Sequence, residues 1–84
     1  MYKHRNQGTC SSNVVFDVED GLVKSVEFEG GCQGNLKGIS KLVEGMKIDD
    51  VIERLQGVTC GYKPTSCPDQ LARALKAYKE KYDA

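Results

Sequence analysis

Four cysteines, Cys10, Cys32, Cys60 and Cys67, are the residues of this chain best suited to chemistry. The thiolate attacks electrophiles and ligates metals, so the thiol that is most easily activated matters most. Cys67 has the setting for it. In Thr65-Ser66-Cys67-Pro68-Asp69, Pro68 suits the first turn of a helix, where its missing N–H costs no hydrogen bond. Cys67 then caps or opens that helix, beside unpaired N–H groups and the positive end of the dipole. Ser66 and Asp69 have capping-box spacing, with Asp in place of the usual Glu or Gln. The Asp69 charge partly opposes a thiolate at Cys67.

Reduced sulfur suits zinc or an iron–sulfur cluster. Gly30, Gly31 and Gly34 around Cys32 leave backbone N–H groups able to turn toward a bound cluster or anion. The spacing contains no Cys-x-x-Cys pair, so neither a zinc knuckle nor a thioredoxin-type dithiol is written locally. Two other readings fit the same residues. Cys60 and Cys67 suit reversible thiol oxidation, and all four suit inert packing of loop ends. His4 is the single histidine, and its polar neighbours make it a solvent-exposed bystander rather than a ligand beside Cys10. Tyr62, Tyr78 and Tyr82 read as packing residues, because no basic groove accompanies them. No Ser-His-Asp set, phosphate loop or paired-carboxylate site is present, and Gly30 to Gly34 is too short for a dinucleotide fingerprint.

The chain that must position these thiols has 84 residues, enough for one domain over 1–84 and no second core. At this size a metal can matter to folding. Lys plus Arg equals Asp plus Glu at 12 each, which gives no electrostatic reason to expect nucleic acid or an anionic membrane as partner. No segment has the apolar length of a membrane span or signal peptide. The expected location is the cytoplasm, with reduced cysteines; two disulfides in a secreted domain are the alternative. Residues 1–7 are polar and are expected to be flexible.

Asn13 to Glu19 alternates, with Val14, Phe16 and Val18 on one face, the pattern of a half-buried strand. Asp20-Gly21 suits a tight hairpin turn, and Leu22 to Glu29 returns with Val26 and Phe28 inward. Asn35 is positioned to cap a helix to about Glu44 carrying Leu36, Ile39, Leu42 and Val43 on one face. Gly45 ends it. Asp49 is positioned to cap a shorter helix with Val51, Ile52 and Leu55, ended by Gly57. After a loop holding Cys60 and Pro64, the last helix runs from Pro68 to Tyr82 with Leu71, Ala74, Leu75, Tyr78 and Tyr82 as its stripe. Strands first and helices after predict an α+β fold, with about three helices on one face of a small antiparallel sheet. Cys10 and Cys32 lie at the open end of the hairpin, and Cys60 and Cys67 bracket the loop before the last helix.

The run Thr65-Ser66-Cys67-Pro68-Asp69 resembles the signature of the TSCPD domain family. The similarity extends over Gly8-Thr9-Cys10-Ser11, Gly31-Cys32-Gln33-Gly34-Asn35 and Cys60-Gly61-Tyr62-Lys63, and the chain looks like the short stand-alone branch. Related domains occur in ribonucleotide reductases. The resemblance therefore implies an accessory of ribonucleoside-diphosphate reductase and deoxyribonucleotide synthesis, not a self-sufficient enzyme. A more distant similarity is to the NifU-like iron–sulfur scaffolds, whose three cluster cysteines would fall on Cys10, Cys32 and Cys67. The chain departs from that pattern at Ser12, where scaffolds carry aspartate, and at Ser66, where many carry histidine. Cys60 is an additional thiol. The leading expectation is a zinc or iron–sulfur site at Cys10, Cys32, Cys60 and Cys67. The alternatives are the reductase accessory and a plain interaction domain with structural cysteines.

Overall fold

The alternation and turn chemistry of residues 13–29 produce the hairpin at the centre of the fold. The computed structural model describes residues 2–6, 11–30, 33–59 and 65–82. Its elements are strands β1 (Tyr2–Arg5), β2 (Ser11–Glu19) and β3 (Leu22–Gly30), then helices α1 (Gln33–Val43), α2 (Ile48–Leu55) and α3 (Cys67–Tyr82). The strands form one antiparallel sheet in the order β1-β2-β3. This is the expected α+β fold.

Asp20 and Gly21 both take positive φ, 55° and 76°, the type I′ geometry whose twist matches the flanking strands. Two irregularities interrupt the β2–β3 register. Ser12 is the extra residue between the Ser11–Gly30 and Asn13–Glu29 pairs, and Lys24 is the extra one between Asp17–Ser25 and Val18–Val23. The second bulge matters to the core. Unbroken alternation from Val26 would turn Lys24 inward, whereas the bulge turns Val23 inward and leaves Lys24 exposed.

Within the stretch expected to be flexible, Tyr2–Arg5 form a strand. Tyr2 to Arg5 pairs with Phe16 to Asn13, half-burying Tyr2 and His4 and exposing Lys3 and Arg5. The alternation is hidden in the sequence because its inward residues are a tyrosine and a histidine rather than aliphatic. The Tyr2 ring meets Phe16, Tyr78 and Tyr82 at centroid distances of 5.7, 4.8 and 5.5 Å, so aromatic packing holds the strand down.

α1 packs on β3, α3 on β2 and on α2. The core joins Val14, Phe16, Val23, Val26 and Phe28 of the sheet to Leu36, Val43, Ile48, Val51, Leu71, Ala74 and Leu75 of the helices. Within α1 the buried stripe is Leu36, Ser40 and Val43, with the Ser40 hydroxyl donating to the Leu36 carbonyl at 2.9 Å. Leu42 is 77% exposed, which corrects its assignment to the inner face: it sits one step round the helix from Val43. Helix starts also differ from expectation. α1 begins at Gln33, so Asn35 lies inside it. Lys47 takes the cap position of α2 without a side-chain bond, and Asp49 lies in the first turn, where its charge still favours the dipole. Gly45 and Gly57 follow the helices at φ 85° and 81°, as expected of C-terminal glycines. The link after α1 is stitched to the hairpin turn: Gly45 N–H donates to the Val23 carbonyl at 2.7 Å and Ile48 N–H to the Gly21 carbonyl at 3.0 Å. Among the described residues no helix is long and apolar enough to cross a membrane.

Candidate functional site

The opening of α3 carries a connected set of buried polar residues. Ser66 is its cap: the hydroxyl accepts the Asp69 N–H at 3.2 Å and donates to the Val58 carbonyl at 2.6 Å. The Ser66 carbonyl accepts the first helical bond from Gln70 N–H at 2.8 Å. Cys67 is therefore the first residue of the helix rather than its cap. Its side chain is 9% exposed and belongs to the apolar core. α3 thus enters the core from its first turn.

Asp69 is 2% exposed and does not reach back to complete a capping box. One carboxylate oxygen accepts the Gly57 N–H at 2.7 Å. The other accepts the Thr65 hydroxyl and the Arg73 Nε at 2.9 Å. Burial alone would raise its pKa, but the Thr65 hydroxyl, the Gly57 N–H and the Arg73 charge together hold it below the usual carboxylate value. Asp69 thus joins the end of α2 to the start of α3.

The remaining bonds follow from donor and acceptor inventories. An ionised carboxylate only accepts, so the Thr65 hydroxyl must donate to Asp69. The Thr65 oxygen then accepts, and the Gln70 amide nitrogen is its donor at 2.9 Å. That fixes the amide orientation and turns its oxygen toward His4 Nε2 at 3.2 Å. His4 must therefore carry a proton on Nε2. The bonds run one way, from imidazole through amide and hydroxyl to carboxylate, so each polarises the next. His4, expected to be a bystander, is half-buried and engaged.

Cys10, Cys32 and Cys60 lie outside the described residues, as does Tyr62. Their described neighbours are informative. Ser11, next to Cys10, pairs with Gly30, two residues before Cys32. Val58, two residues before Cys60, bonds Ser66, next to Cys67. Among the described residues no group of three or more His, Cys, Asp and Glu side chains could hold a metal ion. Asp69 has both oxygens occupied by donors, and His4 has Nε2 engaged. Of the expected ligands, Cys67 alone is described. Sequence reading gave Thr65 and Gln70 no structural role and set His4 aside as a bystander. The signal available was Gln70, a polar residue four before Ala74 on the apolar stripe of α3.

The family model of the TSCPD domain matches residues 1–79. No curated protein and no solved structure matches the chain.

Proposed function

The chain belongs to the TSCPD domain family, and on that premise we propose that it binds zinc or an iron–sulfur cluster through Cys10, Cys32, Cys60 and Cys67. The observation that carries this reading is the paired closure of two chain segments. The Ser11–Gly30 pair closes the open end of the hairpin. The Ser66–Val58 bond closes the base of the loop before α3. Each closure has a cysteine within two residues on either side, and covalent geometry allows about 3.8 Å per residue between Cα atoms. The His4–Gln70 bond ties the sheet to α3, in favour of the two cysteine pairs serving one site.

Four thiolates suit tetrahedral zinc or an iron–sulfur cluster. Such a group would supply folding energy to a small core and, if it is a cluster, one-electron chemistry. The distant scaffold resemblance favours the cluster; Ser12 and Ser66, which replace the scaffold aspartate and histidine, favour holding a metal over releasing one.

Anaerobic purification followed by metal analysis and absorption spectra tests the reading. Wild type should carry stoichiometric metal, and Cys67→Ser should lose it. A folded, metal-free wild type whose four thiols titrate independently overturns the proposal.

A further inference from the structure

We infer that Thr65, Asp69 and Gln70 are positioning residues for Cys67, with the Thr65 hydroxyl as the hub that fixes the direction of its thiol. This inference rests on Cys67 being a ligand of the proposed site, but its geometry stands by itself. Thr65 is two residues before Cys67 and Asp69 two after, and their side chains bond across it. The Ser66–Asp69 cap bond closes the same turn from the backbone side. Cys67 thus sits inside a double bridge between the residues on either side of it, which fixes the backbone that carries its Cα–Cβ bond.

The hub also ties this turn to two remote elements. Through Asp69 it reaches Gly57, at the end of α2. Through Gln70 it reaches His4, on β1. The Thr65 hydroxyl gives its one proton to Asp69 and accepts one amide bond from Gln70, so it joins the two links. Metal ligands are commonly oriented by such outer partners, whose loss costs about 10- to 100-fold in affinity. Here those partners are the other members of the same short run, which gives Thr, Asp and Gln a role distinct from that of the cysteine.

Two complementary replacements separate this role from simple packing. Thr65→Val keeps the shape and removes the hydroxyl; Thr65→Ser keeps the hydroxyl and removes the methyl. On metal-free, reduced protein, the rate of iodoacetamide labelling at Cys67 is read by peptide mass spectrometry. The hub predicts labelling faster by on the order of tenfold in Thr65→Val, because two buried groups lose a partner, and within about threefold of wild type in Thr65→Ser. Gln70→Met, which removes the amide bonded to Thr65 and His4 and leaves the Thr65–Asp69 bond in place, should speed labelling less, and it decides the matter if Thr65→Val does not fold. Equal rates in Thr65→Val and wild type, or equal acceleration in Thr65→Ser, overturn the inference. Zinc affinity by chelator competition should fall about 10- to 100-fold in Thr65→Val and recover in Thr65→Ser. A wild type that takes up neither zinc nor iron overturns the proposed function, and the labelling rates then still decide the positioning role.

Discussion

His4 on β1 and Gln70 on α3, 66 positions apart, are joined side chain to side chain at 3.2 Å. The bond makes the first strand part of the site around Cys67. Its direction is a consequence of the Asp69 charge several bonds away, since an acceptor at one end of the chain fixes every donor up to the other.

The first prediction concerns that direction. Nitrogen-15 NMR of the neutral His4 imidazole should find its proton on Nε2. A neutral imidazole with its proton on Nδ1 would break the deduction. His4→Leu should destabilise the protein by about 1 kcal/mol, the net worth of a typical hydrogen bond, measured by urea unfolding.

Asp69 and Arg73 form an i,i+4 pair whose two members should behave differently on substitution. Asp69 is buried with several donors aimed at it, whereas the Arg73 side chain is 59% exposed. Asp69→Asn places an N–H₂ group among those donors and should cost about 2–3 kcal/mol. Arg73→Ala removes an exposed partner and should cost no more than about 1 kcal/mol. Comparable losses from the two would mean that the ion pair, not the Thr65 and Gly57 bonds, dominates.

Acid should act through the same carboxylate. Its folded pKa lies below the ordinary value near 3.8, so the unfolded chain takes up its proton first as pH falls. The stabilisation is fully present above 3.8 and is lost as pH drops through the lower folded value. Unfolding free energy of metal-free protein, measured at stepped acid pH, should fall less steeply in Asp69→Asn than in wild type. Parallel curves would exclude Asp69 as a source of the acid sensitivity.

Two leucines that look alike in sequence should differ sharply. Leu75 is fully buried and Leu42 is 77% exposed. Leu75→Ala should cost about 2–5 kcal/mol. Leu42→Gln should stay within about 0.5 kcal/mol. Thermal unfolding followed by circular dichroism checks both.

The sequence by itself determined what depends on near neighbours. Alternation from Val14 to Val18, the Asp20-Gly21 turn, the glycines after α1 and α2, and Pro68 in the first turn of α3 are local rules, and each acts within a few residues. The Thr65 to Asp69 run, with its companions elsewhere, was enough to point to the family. Tertiary structure alone decided what depends on remote partners. β1 forms because Phe16, Tyr78 and Tyr82 receive Tyr2. Val23 enters the core because a bulge reverses its face. Leu42 stays outside because Leu36 and Val43 already meet the core from the neighbouring side of α1. Asp69 carries a capping-box position in sequence, but in the fold it serves Gly57, Thr65 and Arg73. A buried polar group takes whatever donor or acceptor the fold brings to it, and nothing in the local pattern names that partner.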